Sequence, residues 1–279
     1  MPVGTLIQFV LPRWLIVAIA RAAGSVAWRF NHSKRRRIEE NLTHILGRSA
    51  PAGQIEAAGR RVFRNLAVNY ADLLRTPVLR RRIAQLVDFD TVDLDRTMGA
   101  GRGVILVTAH IGNWDLAGAL LASRGYPTSA VVEPIPRGWT RTFNRYRSIT
   151  SMEAIPIPDR RGVVRAIRRG RLLALVSDRD LTGRGLLCAA FDAARSYPRG
   201  PAAYALRFGV PVVLGYLVFQ PGPGRRPYRG VIEPLAPADA CATDVDGLTQ
   251  LIASRLNEII ATYPDQWLVF NAGWQSRQD

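Results

Sequence analysis

The sequence predicts a layered α/β fold, an α-β-α arrangement with a mainly parallel central sheet and a helical N-terminal extension. Three observations carry this. From about residue 100 onward strand-like and helix-like segments alternate, the pattern of βα units. Val104–Thr108, Leu172–Val176 and Val212–Phe219 are apolar runs without polar alternation, as in strands buried on both faces. The first 90 residues instead repeat apolar positions at helical spacing between runs of arginine. No low-complexity linker or internal repeat interrupts the chain. One domain is expected over 1–279, with residues 1–90 a helical, membrane-associating region and 91–279 the α/β core.

The first apolar stretch, Gly4–Trp28, is interrupted by Pro12, Arg13 and Arg21. Its longest clean run, Trp14–Ala20, is far shorter than the ~20 residues of a spanning helix, and an early basic segment typical of a cleaved signal is lacking. Tryptophans and arginines beside apolar faces suit an interfacial helix; an ordinary buried helix is the other reading. Lys34-Arg35-Arg36-Arg37 follows, either a solvated face or a contact for an anionic leaflet at about 1 kcal/mol per basic residue. Ile38, Leu42, Ile45 and Leu46 then repeat at helical spacing. Ala52–Arg75 reads as a long helix with Val62, Phe63, Leu66, Ala67, Tyr70 and Leu73 on one stripe, ended by Pro77. A short helix over Leu79–Leu86 follows, then a strand and a short helix within Asp88–Gly103.

The strand Val104–Thr108 runs into Ala109-His110-Ile111-Gly112-Asn113-Trp114-Asp115, with Asn113 as N-cap of the next helix. After Pro127 come a strand at Thr128–Val132, a helix at Thr140–Ser151, a strand at Ala154–Ile157 and a helix at Gly162–Arg169. The strand Leu172–Val176 closes on Asp178-Arg179-Asp180. Pro201 opens a helix over Ala202–Phe208. Beyond Val212–Phe219, a Pro/Gly loop (Gln220–Pro227) turns the chain into an antiparallel strand at Arg229–Ile232. An amphipathic helix spans Asp244–Tyr263.

The 279 residues are long enough for a substantial core. Mean hydropathy is zero, which fits a globular chain. A net charge of +16 calls for an anionic partner or surface. Lys34 is the single lysine, and an arginine- and alanine-heavy composition is also what a GC-rich genome produces. Cys188 and Cys241 lie far apart, which argues against a disulfide framework. Three histidines, His32, His44 and His110, leave little for a metal site. No Gly-rich nucleotide fingerprint and no nucleic-acid-binding module is present, so no nucleic acid is expected as a partner.

His110 therefore sits in a turn at the C-terminal end of a buried strand, where open α/β sheets place their sites. An imidazole can take a proton from an alcohol, and a carboxylate that fixes its tautomer improves it. Asp115, five residues on, is expected to fold back onto Nδ1 and leave Nε2 for a substrate hydroxyl. No Ser or Cys beside His110 offers a nucleophile, which favours direct attack by an activated acceptor. From the residues alone, His110 is either this base or a hydrogen-bonded structural residue, and Asp115 either its partner or a helix-start acid favoured by the macrodipole.

The motif His110-x4-Asp115, and the fuller Thr108-Ala-His-Ile-Gly-Asn-Trp-Asp115, resembles the glycerolipid and lysophospholipid acyltransferase superfamily. It is most similar to the branch of lipid A acyltransferases and actinobacterial phosphatidylinositol mannoside acyltransferases. Further blocks resemble that branch: Val131-Val-Glu-Pro134, Phe143-x3-Arg147, Asp178-Arg-Asp180, Pro198-x-Gly-Pro201 with Gly209-Val-Pro211, and Tyr263-Pro-Asp-Gln-Trp267. The stretch Ser177–Thr182 looks closer to the phosphatidylinositol mannoside enzymes. The resemblance implies an O-acyltransferase moving a fatty acyl chain from acyl-CoA or acyl carrier protein to a hydroxyl of an anionic glycolipid or phospholipid. It implies no cofactor beyond acyl-CoA as donor substrate and no metal, and a peripheral place on the cytoplasmic face of the cell membrane. His110 is then the general base and Asp115 its orienting partner. Asn113 caps the helix or touches substrate. Arg147 grips a phosphate or makes a surface ion pair. Asp178 and Asp180 hold an acceptor hydroxyl or an arginine. One departure stands out. Family members carry a glutamate shortly after the Asp-x-Asp step, and Gly185–Phe191 has no acid. That absence also motivates a second reading, a lipid- or acyl-chain-binding protein without turnover.

Overall fold

The structure, a computed structural model, describes residues 11–79, 82–133, 152–220, 222, 226–235, 244–271 and 273–275. The described residues open with three long helices: α1 (Arg13–Phe30), α2 (His32–Leu46) and α3 (Ala52–Leu79). α1 buries Ile16, Ala20, Gly24 and Trp28, spaced about one turn apart, and lays that stripe on α3. Gly24 permits the close approach, since a Cβ there would stand 2.6 Å from the Phe63 carbonyl oxygen. Elsewhere on the helix, Trp14, Ile19, Val26 and Phe30 are exposed. α3 runs two residues past Pro77, where the sequence predicted its end. A proline deletes one intrahelical bond, a small share of a 28-residue helix when it falls in the last turn.

Next come α4 (Ile83–Leu86), shorter than predicted, β1 (Val87–Phe89) and α5 (Val92–Met98). β2 (Val104–Thr108), α6 (Trp114–Ser123) and β3 (Thr128–Val132) follow the predicted pattern closely. The helix predicted at Thr140–Ser151 falls outside the described residues. Beyond it lie β4 (Glu153–Pro156), α7 (Arg160–Arg168) and β5 (Leu172–Val176). A hairpin of β6 (Leu186–Ala190) and β7 (Ala193–Tyr197) leads to α8 (Gly200–Phe208). The chain finishes with β8 (Val212–Phe219), β9 (Tyr228–Pro234), α9 (Val245–Thr262), a 3-10 turn at Pro264–Gln266 and β10 (Trp274–Gln275).

Among the described residues, seven strands form the central sheet in the order β1-β9-β8-β2-β5-β3-β4. Every neighbouring pair is parallel except β8 with β9. β2 lies in the middle, its alternate residues serving opposite faces. Ile105 and Val107 join the core under α7, α8 and α9. Val104 and Leu106 join Leu94 of α5 and Leu121 of α6 on the other side. α3 packs on α6, so the N-terminal helices form a further layer there. A second, antiparallel sheet, β10-β7-β6, was not predicted. Its short strands alternate too little to be read as strands.

Candidate active site

The centre of the sheet puts the site together. β2 lies between β5 and β8, and the chain leaves it by α6 toward β3 on one side while β8 pairs on the other. This is the switch point at which open sheets leave a crevice above their strand ends. Thr108 of β2 pairs in register with Val176 of β5. Two residues further along each strand stand His110 and Asp178, side by side.

Asp178 Oδ1 lies 2.7 Å from His110 Nδ1. Its other oxygen, Oδ2, accepts the His110 backbone N–H at 2.9 Å and the Trp267 indole N–H at 2.7 Å. The carboxylate is fully buried. Burial pushes it up, but the neighbouring His110 and the three hydrogen bonds outweigh this and hold it at about 2. An ionised Asp178 accepts the Nδ1 proton and fixes the tautomer, which leaves Nε2 as the ring's basic atom. Among the described residues Nε2 has no hydrogen-bond partner, and the ring lies on a cavity wall.

The expectation that Asp115 would take Nδ1 is thus corrected. The reason is the orientation of the turn: the backbone N–H and Nδ1 of His110 both face β5, and Asp178 receives both. Asp115 lies in the first turn of α6 on the cavity wall. Its charge, after burial, helps push the nearby Tyr70 phenol up. Asp178 was expected to meet an acceptor or an arginine; buried and fully engaged, it faces the imidazole instead.

Backbone bonds clamp the turn after β2. Leu268 N–H donates to the His110 carbonyl at 2.7 Å, Gly112 N–H to the Gln266 carbonyl at 2.9 Å, and Asn113 N–H to the Leu217 carbonyl at 2.8 Å. The Asn69 amide donates to the Gly112 carbonyl. Gly112 has φ +56°, and a Cβ there would collide with the Leu217 carbonyl oxygen, so only glycine fits. Asn113 accepts from Leu116 N–H as the predicted cap, and its amide donates to the Tyr228 hydroxyl at 3.2 Å. It is 1% exposed and away from the cavity wall, which leaves it the capping role of the two considered.

The cavity has a volume of about 1180 Å³, larger than the ~300–1,000 Å³ of ordinary small-molecule sites. His110, Trp114 and Asp115 line the end at the turn; Leu106, Leu120, Leu121, Met152 and Ala174 supply apolar wall. Arg179, Arg184, Arg199 and Arg207 line it as well. Trp114 meets the His110 ring edge-on at 5.2 Å. Asp180 is not on this wall. It closes its own loop, accepting from Thr182 N–H and hydroxyl, Gly185 N–H and Ser196 hydroxyl, which together overcome burial and hold its carboxyl low. Arg147 lies outside the described residues. The stretch without the family glutamate is β6. Its Cys188 is buried, and burial pushes the thiol up to about 11.

Sequence reasoning gave no role to Trp267, although it marked the block ending there, and it missed Asn69, Asp72, Tyr228 and Arg195. Arg195, 4% exposed, stands 5.1 Å from the centre of the Trp267 ring and 4.5 Å from that of Trp274, and holds the indole beside Asp178. Asp178 was marked by its place at the end of a buried strand, but its pairing with His110 depends on the register of β2 with β5, which the sequence does not display; for the others no local pattern exists.

A family model described as bacterial lipid A biosynthesis acyltransferase matches residues 3–276. The phosphatidylinositol mannoside acyltransferase of Mycolicibacterium smegmatis (strain ATCC 700084 / mc(2)155) is 29% identical over 248 residues, covering 85% of this chain and 78% of that protein. The protein of the same description from Mycobacterium tuberculosis (strain ATCC 25618 / H37Rv) is 29% identical over 260 residues, covering 87% and 78%.

Proposed function

The chain belongs to the bacterial lipid A biosynthesis acyltransferase family, and on that premise we propose that it moves a fatty acyl chain from a thioester, acyl-CoA or acyl carrier protein, to a hydroxyl of an anionic glycolipid, a phosphatidylinositol mannoside. The observation that carries the reading is the His110–Asp178 pair at 2.7 Å on the wall of a large, partly apolar cavity. The two mycobacterial relatives support the choice of acceptor.

In this reading His110 Nε2 removes the proton of the acceptor hydroxyl as its oxygen attacks the thioester carbonyl. Asp178, accepting the Nδ1 proton, keeps the ring aimed and stabilises the imidazolium. The tetrahedral oxyanion collapses, the C–S bond breaks, and the leaving thiolate takes the proton from Nε2. The acyl chain lies along Leu106, Leu120 and Leu121. Asp115 accepts from hydroxyls of the acceptor, and the cavity arginines face its phosphate. Asp180 shapes the cavity's loop and Arg147 contacts the headgroup.

No helix among the described residues is long and apolar enough to cross a membrane. The exposed Trp14, Ile19, Val26 and Phe30 of α1 and the exposed basic residues Lys34, Arg36 and Arg37 beside them support, in this reading, a peripheral seat on the cytoplasmic leaflet.

His110→Ala tests the assignment. With labelled palmitoyl-CoA and vesicles of a total polar lipid extract, the variant is expected to stay folded and lose about 10²–10⁴-fold in acylated lipid formed. Undiminished turnover in the variant, or wild-type protein that retains the label without forming acylated lipid, would overturn it.

A further inference from the structure

A buried polar chain joins the start of α1 to the turn that carries His110. Arg13, the first residue of α1, donates from Nη2 to Asp72 Oδ2 at 2.8 Å. The Tyr228 hydroxyl donates to the same oxygen. The Asn113 amide in turn donates to the Tyr228 hydroxyl at 3.2 Å. Asp72, Tyr228 and Asn113 are at most 1% exposed. One turn earlier on α3, Asn69 holds the Gly112 carbonyl. The Arg13 guanidinium also lies 5.5 Å from the centre of the Tyr228 ring.

Such a chain is not explained by stability. A buried ion pair is often no better than apolar residues of the same volume. Here the burial also leaves Arg13 Nε, Asn69 Oδ1 and Asp72 Oδ1 without hydrogen-bond partners among the described residues. What the groups share is direction: the bonds run from the helical layer, directly through Asn69 and by way of Tyr228 of β9, to Gly112 and Asn113, where the cap orients α6 and the turn aims the ring. Arg13, with its planar fork, engages Asp72 and covers Tyr228 together.

We propose that Arg13, Asp72 and Tyr228 are positioning residues that make the aim of His110 depend on the seating of α1. They touch neither donor nor acceptor. When α1 rests on α3, Arg13 neutralises Asp72, the tyrosine hydroxyl is held, and Asn113 is fixed from below. When α1 lifts, Asp72 loses its hydrogen-bonded guanidinium and keeps only the nearby charge of Arg75, and the turn loses its anchor. The helix that offers its exposed face to a lipid surface is thereby tied to the chemistry. The inference rests on the acyl-transfer reading of His110.

Tyr228→Phe deletes one oxygen and leaves the Arg13–Asp72 pair in place. Thiol release from palmitoyl-CoA is measured with vesicles of a total polar lipid extract, alongside thermal unfolding and vesicle co-sedimentation. The variant is expected to fold and to sediment as wild type does. Its kcat is expected to fall at least tenfold, with KM for palmitoyl-CoA within twofold. A kcat within twofold of wild type overturns the proposal, while His110→Ala separately decides the reading beneath it. If Tyr228→Phe does not fold, the Arg13 position decides. Arg13→Met with Asp72→Asn, which removes both members of the ion pair, should lose kcat at least tenfold in protein confirmed folded by thermal unfolding, and Arg13→Lys should retain a third or more. Full kcat in the double variant, or a loss matched by lost vesicle binding, overturns it.

Discussion

At the residue scale the site turns on which carboxylate holds the imidazole. The motif His110-x4-Asp115 drew attention to the nearer acid along the chain, because sequence reasoning sees separations along one strand and not pairings across a sheet. Asp178 is 68 residues from His110 and meets it only because Thr108 and Val176 share a register. Both strands were legible as buried runs, and His110 and Asp178 stand two residues past their ends. Their adjacency was not legible, since buried parallel strands are interchangeable by pattern. The capping role of Asn113 was legible, because a cap is local chemistry.

The environment of Asp178 has a consequence for stability. Held at about 2 against an ordinary 3.8, the carboxylate binds a proton less readily in the folded chain than in the unfolded one. Its contribution is therefore complete above about pH 4 and lost as pH falls toward 2, on the order of 2 kcal/mol. Urea unfolding of wild type and Asp178→Asn from pH 5 to pH 2 should show the wild type losing that much more than the variant. A gap that stays constant across the range would contradict the pairing.

At the element scale, apolar periodicity located most helices and strands, and tertiary context decided the rest. α1 was open between an interfacial and a buried helix, and it buries one face while leaving another exposed. Ile16, Ala20, Gly24 and Trp28 pack on α3, and Ile19, Val26 and Phe30 do not pack away. Gly24 and Gly59 explain how close the layers come, since a Cβ at Gly59 would collide with the Trp28 ring. The exposed face makes a prediction of its own. Ile19→Glu with Phe30→Glu adds charge where, in the proposed reading, apolar area meets the headgroups, and should reduce co-sedimentation with anionic vesicles at least tenfold while thermal unfolding is unchanged. Equal sedimentation of variant and wild type would remove α1 from the membrane-binding surface.

At the scale of the whole molecule, the fold sets the helical layer, the sheet and the cavity in a fixed relation. α3 carries α1 on one side and touches the turn after β2 through Asn69 on the other. The charge is spread unevenly over this frame. Residues 134–171 hold ten arginines against two carboxylates, and those of α7 are exposed. The anionic partner that a net charge of +16 calls for is met, in the proposed reading, by lipid phosphate and the leaflet. Composition alone could announce the sign of that partner and not its chemistry, because the cavity that distinguishes them forms from residues scattered between Tyr70 and Ile232.

The central claim is that Asp178 aims the base. It is tested most directly by comparing kcat for acyl transfer in Asp178→Asn and Asp115→Asn, each confirmed folded. Asp178→Asn should lower kcat about 10³-fold by removing the acceptor that fixes the Nδ1 proton, with Asp115→Asn losing clearly less. A Asp115→Asn enzyme more impaired than a nearly active Asp178→Asn enzyme would contradict the account.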